Sequence, residues 1–324
     1  MAKYYLSAPV DEIELARSVQ PAVVALGGSV PASDELRELT ATRGMDHATM
    51  LLYQAILASP RNRPFIEALD RQPAESATSP AGEKLLIVPA LFHGHYPEAG
   101  ADAALAARIA ANCGFEVERI PVKSVGTVTE NAAIIDRHLR AERAERLWIF
   151  SVSKGSADFR AFLHLYPESP AIPRLRGWVN VCGLANGCQI SAHNIATPLR
   201  ALKYRAVCAL FRVSFELMRE LSPSHPLWRE PLRLPAGVRL FNIMAIPLPC
   251  HVQKSVMGRY LAIRALGPND GMVVCRDSIL EPWPVYPVWG SDHFFRVPQV
   301  PAILYKLFRF LRSPSLESAG GMAA

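Results

Sequence analysis

The sequence predicts an α/β protein: a mostly parallel central sheet with helices on both faces. Three observations carry this. Short apolar or alternating runs of strand character recur between Lys84 and Trp289, helix-patterned segments separate most of them, and glycine or proline punctuates the junctions. The chain has 324 residues, enough for one large α/β domain or two ordinary ones.

Residues 1–82 read as a mostly helical N-terminal extension and linker. Asp46 to Ser59 has helical spacing with Asp46 as N-cap, Pro64 to Asp70 adds a second segment, and Pro73 to Glu83 is linker-like in composition. Residues 83–312 form the sheet domain. "KLLIVPALF" is a buried strand, and "ADAALAARIAANCG" a helix closed by Gly114. "FEVERIPV" alternates as a strand does. "TVTENAAIIDRHL" opens with a capping box, Thr127 to Glu130, and aligns Val128, Ala132, Ile135 and Leu139. "RLWIFSV" and "LRGWVNVCG" are strands on either side of a helix stopped by Pro167. The alternation lapses at about 185–235, where "PLRALKYRAVCALFRVSFELMREL" reads as one long helix in a cap inserted over the sheet. It resumes with "VRLFNIMAI", the helical "HVQKSVMGRYLAIRAL", "VYPVW" and a last helix around Val300 to Leu311. Residues 313–324 read as a disordered tail.

Half the residues are hydrophobic and 20% are charged, a globular balance. No apolar run reaches the length of a membrane span, and the N-terminus lacks a signal-peptide core, so a cytoplasmic protein without stable membrane insertion is expected. The formal charge of +6 is spread along the chain, with denser groups at Arg140 to Arg146 and Arg200 to Arg212. No zinc-finger spacing or aromatic-rich stretch accompanies them, so no nucleic-acid partner is expected. The six cysteines form no C-x-x-C pair and read as buried reduced thiols. His93 and His95 lack the further ligands of a metal motif, so neither metal nor cofactor is expected.

The chemistry gathers in "WIFSVSKGSADF". Ser153 stands at the end of an apolar strand, with small residues two positions away on each side, Ser151 and Gly155, and with Ser156 beyond. A nucleophile on a sharp strand-to-helix turn needs that room, and the following helix N-terminus favours negative charge there. Lys154 precedes the glycine and no upstream glycine stands at Walker spacing, which excludes a P-loop. Further on come "GPNDGMV", with Asp270, and "WGSDHFFR", with His293 directly after a strand.

Elbow, acid loop and histidine, in this order, resemble the α/β-hydrolases, with Ser151 in place of the first glycine of G-x-S-x-G. The resemblance covers about Lys84 to Leu311. It implies a serine hydrolase acting on an ester or related acyl bond, with Ser153 as nucleophile, His293 as base and Asp270 as its orienting acid. Asp277 competes for the acid role, whereas Asp292 adjoins His293 too closely for the required hydrogen bond. The implied oxyanion donors are the backbone N–H groups of Leu91 and Lys154. A second register, through His93-Gly94, would make His95 the donor instead of Leu91. The substrate would be a small acyl compound with an apolar part. A thioesterase, cyclase or acyltransferase would use the same triad, and a non-catalytic binding protein would use the same scaffold. The insertion reads either as a lid over an acyl pocket or as a buried cap.

Overall fold

The computed structural model describes residues 9–73, 82–95, 100–313 and 316. Six strands make one parallel sheet: β1 (Lys84–Val88), β2 (Glu116–Arg119), β3 (Leu147–Val152), β4 (Leu175–Val181), β5 (Arg239–Ile246) and β6 (Val285–Trp289). Their order across the sheet is β2-β1-β3-β4-β5-β6. From β1 the chain moves out to the edge strand β2 and then returns past β1 to β3, so β1 and β3 become neighbours whose following connections diverge. In open α/β sheets the crevice at the carboxyl ends of such a pair is where ligands bind.

Four helices precede the sheet: α1 (Glu12–Ala25), α2 (Ser33–Arg43), α3 (Met45–Ala58) and α4 (Arg63–Asp70). The others are α5 (Ala104–Asn112), α6 (Val128–Ala141), α7 (Lys154–Leu165), α8 (Gln189–Ile195), α9 (Pro198–Leu210), α10 (Phe215–Glu220), α11 (Lys254–Ile263) and α12 (Val300–Leu311).

Alternation along the strands sorts side chains between the two faces. Leu86, Val88, Leu147 and Ile149 share one core with Val128, Ile135, Phe159 and Phe162 of α6 and α7. Leu85, Ile87, Trp148 and Phe150 face the other way, into a core with Phe65 of α4, Ile109 of α5 and Leu307 and Phe308 of α12. Both faces are covered, which is why β1 reads as an unbroken apolar run after Lys84. The Lys84 ammonium at the start of that strand pairs with Glu116, Glu118 and Glu142 at 3.0, 2.6 and 2.7 Å. Burial alone would raise the Glu142 carboxyl, but its bonds to Lys84 and to two backbone N–H groups outweigh this and hold it at about 2.

Several sequence expectations need correction. Within the apolar run Lys84 to Phe92, strand β1 stops at Val88, one residue before the expected end at Pro89, which has no N–H to continue the ladder, and Ala90 to Phe92 line a cavity. Asp46 is not an N-cap: Gly44 holds that position at φ 92°, and Asp46 lies in the first turn of α3. The segment from Pro198 to Leu221 is two helices rather than one. Arg212 adopts φ 54°, and Ser214 caps α10 by accepting from Glu216 N–H at 3.2 Å. The helix predicted from His251 begins at Lys254, after a 3-10 turn over Pro249–His251. Most of the linker-like stretch at 73–83 and most of the tail at 313–324 lie outside the described residues.

The six cysteines are buried and no disulfide joins them among the described residues. No helix among the described residues is long and apolar enough to cross a membrane.

Candidate active site

Strand β3 runs into Ser153, which takes φ 51° and ψ −119°, and α7 starts at the next residue. A non-glycine residue at that φ is strained, and the surrounding structure must hold it there. The reason for glycine two positions later is contact with backbone. A Cβ on Gly155 would collide with the Val88 carbonyl oxygen and stand 2.7 Å from that of Pro89. Helix α7 thus starts hard against the end of β1. Gly155→Val is expected to cost about 1–3 kcal/mol through overpacking and to abolish turnover, because the only relief is to move α7 away from β1. Thermal denaturation and an ester-hydrolysis assay check this; a variant that melts and turns over like the parent would show that the close approach is absent.

Ser151 and Ser156 are fully buried and bonded to each other, Oγ to Oγ, at 2.7 Å, and Ser151 Oγ accepts the Trp178 indole N–H at 2.6 Å. Their hydroxyls are committed to the interior. Ser153 is different: its Oγ lies 2.8 Å from His293 Nε2 and lines a cavity.

His293 follows β6. Its Nδ1 lies 2.7 Å from Asp270 Oδ2, and its backbone N–H donates to the Asp270 carbonyl at 3.0 Å. The other carboxylate oxygen of Asp270 accepts from Met272 and Val273 N–H at 2.8 and 3.0 Å. This tight turn depends on Gly271, which has φ 99° and whose added Cβ would strike Val256 Cγ1. The Asn-Asp-Gly sequence therefore builds a turn that aims one carboxylate oxygen at the imidazole and fixes the other on backbone.

The structure brings Ser153, His293 and Asp270 into one hydrogen-bonded line and leaves Asp277 out of it. Asp277 accepts from Gln189 Nε2 at 2.8 Å and from the Ser33 hydroxyl. Asp292 accepts from Gln253 and Phe294 N–H, and burial raises its carboxyl above the usual range.

Leu91 and Lys154, the two expected donors, stand at the ends of β1 and β3. Neither backbone N–H has an acceptor among the described residues. In the alternative register the His95 N–H is already given to the Phe92 carbonyl at 2.9 Å. His93 contributes differently: its Nδ1 contacts the Ala90 carbonyl at 2.9 Å, bracing the loop that carries Leu91. Since His95 turns to Ser124, the two imidazoles are held by different partners. Among the described residues, the group close enough to share a metal is Glu118, His138 and Glu142, but the Lys84 ammonium already occupies both carboxylates.

Sequence reasoning missed a buried ion pair beneath the elbow. Lys154 Nζ sits 2.6 and 2.8 Å from the Asp158 carboxylate oxygens, and Asn131 Nδ2 donates to the same group at 2.8 Å. Burial pushes the Asp158 carboxyl up, and Lys154 and Asn131 oppose it. The pair fixes the side chain of the residue directly after Ser153. The signal for it was Lys-x-x-x-Asp, four residues apart on one helix face.

The cavity over Ser153 and His293 has a volume of about 590 Å³. The cap roofs it with Val207, Cys208, Phe211, Val213, Leu217 and Met218. Glu220 at the end of α10 anchors this roof by capping α6: its carboxylate accepts from the Val128 N–H at 2.5 Å and the Thr129 hydroxyl at 2.6 Å.

No family model matches the sequence, and no curated protein matches it. Solved structures do. A metagenomic carboxyl esterase aligns with a TM-score of 0.55 at 21% identity, over 73% of this chain and 77% of that one. The chain has the α/β-hydrolase fold. Phospholipase PlaB from Legionella pneumophila, solved in complex with thio-NAD, aligns at 0.54 with 13% identity, over 73% of this chain and 60% of that one. In an α/β-hydrolase fold the crevice beyond β1 and β3 is where the nucleophile elbow stands, and Ser153 stands there in this chain.

Proposed function

We propose that this protein is a serine hydrolase that cleaves an ester or related acyl bond through an acyl-enzyme. The observation that carries the reading is the line of contacts from Ser153 Oγ to His293 Nε2 at 2.8 Å and from His293 Nδ1 to Asp270 Oδ2 at 2.7 Å. His293 takes the Ser153 proton as Oγ attacks the carbonyl carbon, and Asp270 stabilises the imidazolium that forms. The Leu91 and Lys154 N–H groups receive the oxyanion, with the N-terminus of α7 adding its dipole. His293 then protonates the leaving group, and water repeats the sequence to free the acid. The steps need no cofactor or metal. The apolar roof of the cavity favours an apolar acyl chain.

The test has two arms. A fluorophosphonate probe is expected to label the protein on Ser153. A series of p-nitrophenyl esters is expected to rise in kcat/KM with acyl length until the chain fills the cavity. A folded protein that is neither labelled nor active on any ester of the series would overturn the reading.

A further inference from the structure

The same cavity contains a cation that the proposed chemistry does not use. Arg259 of α11 lines it together with His293 and Phe294. Its guanidinium stacks over the Phe294 ring, Cζ 5.4 Å from the centroid, one residue beyond the histidine. Nη2 donates to the Ser255 carbonyl of its own helix at 2.8 Å. Nε is buried without a hydrogen-bond partner among the described residues, although the Asp270 and Asp292 charges act on the guanidinium from a distance. Arg259 as a whole is half-buried, but a buried donor atom without an acceptor is costly, and such groups ordinarily find one.

The two nearby acids act on its charge but accept no hydrogen bond from Nε. Asp270 is satisfied by His293, Met272 and Val273, and Asp292 by Gln253 and Phe294. Nor is Arg259 the only polar group on the cavity wall. Ser191 and Asn194 of α8 and Tyr204 of α9 line it as well, and α8 packs against both α9 and α11. Three adjoining helices thus give one polar region to a cavity whose roof is apolar. A neutral acyl chain has no use for that region. A planar fork of N–H donors suits a carboxylate or a phosphate.

We propose that the substrate carries an anionic group, a carboxylate or a phosphate, which Arg259 holds beside the reacting bond. This rests on the serine hydrolase reading for the word substrate, but the anion site itself is testable by binding alone. Calorimetry would compare octyl phosphate and nonanoate with the neutral 1-octanol, using the full chain. At least one anion is expected to bind about tenfold more tightly than the alcohol, the scale of a charge-assisted hydrogen bond, and the tighter of the two names the anion. Arg259→Gln is expected to reduce that preference to about unity, and Arg259→Lys to keep part of it. Raising the salt concentration should weaken binding of the anion and not of the alcohol, a measurement that needs no variant. Equal binding of all three ligands by the parent protein, or an unchanged preference in a folded Arg259→Gln protein, would overturn the proposal. A protein that shows the Arg259-dependent preference but escapes fluorophosphonate labelling would keep the anion site and lose the hydrolase reading.

Discussion

Ser153→Ala is expected to abolish fluorophosphonate labelling and to lower kcat by roughly 10⁴-fold or more, the scale seen when a triad nucleophile is removed. The melting temperature should stay close to that of the parent, because Ser153 Oγ bonds only to His293 among the described residues. The neighbouring serines make the experiment specific. Ser151→Ala leaves the Trp178 indole N–H without its acceptor, so it should cost about 1–3 kcal/mol of stability while labelling persists. A folded Ser153→Ala protein that is still labelled, or a folded Ser151→Ala protein that is not, would remove Ser153 from the nucleophile's role.

The second large effect concerns the acid. In Asp270→Asn the side-chain oxygen still accepts from Met272 and Val273 N–H, so the turn persists. The amide N–H₂ then faces His293 Nδ1. That nitrogen must become an acceptor, which places the proton on Nε2 and points a donor at Ser153 Oγ. A base in that tautomer cannot take the serine proton, and kcat should fall by about 10²- to 10⁴-fold with little change in KM. Asp277→Asn should leave kcat near the parent value, because its carboxylate serves Ser33 and Gln189 instead. Steady-state kinetics of the two variants decide the matter; a large loss in Asp277→Asn with none in Asp270→Asn would reverse the assignment.

Much of this arrangement was legible in the sequence because it is local. Each strand of the sheet domain is a short apolar or alternating run, and the elbow, the Asn-Asp-Gly turn and the histidine loop each announce themselves within a few residues. What stayed hidden was set by tertiary contacts. The apolar run continues past Pro89, and its composition alone does not show that Leu91 and Phe92 line the cavity. The cap reads as one helix because its apolar residues continue past the break at Phe211 to Ser214. Leu199, Leu202 and Leu210 are in fact exposed on α9, so the pattern there does not mark a core-facing stripe. Asp46 is a common capping residue type, but Gly44 already supplies the turn. Arg259 is one arginine among many in the sequence. Only the packing of α11 beside Phe294 sets it in the cavity wall and leaves its Nε unpaired.

The helices ahead of the sheet find their cover at the far end of the chain. Asn62 Oδ1 accepts from Val285 N–H, 223 residues later. Leu52 and Ile56 of α3 pack with Ile246, Ile279 and Val285, while Phe65 meets Phe310. Glu12 accepts from the Trp289 indole and contacts His251. During synthesis these surfaces wait for β6 to emerge, on the order of ten seconds to most of a minute at ordinary translation rates. Over that interval the nascent chain displays apolar helix faces that a chaperone can hold. A ribosome that stalls before β6 yields a product lacking both the histidine and the partner of those faces. The contacts between the N-terminal helices and β6 therefore form late, in the same stretch of synthesis that delivers His293.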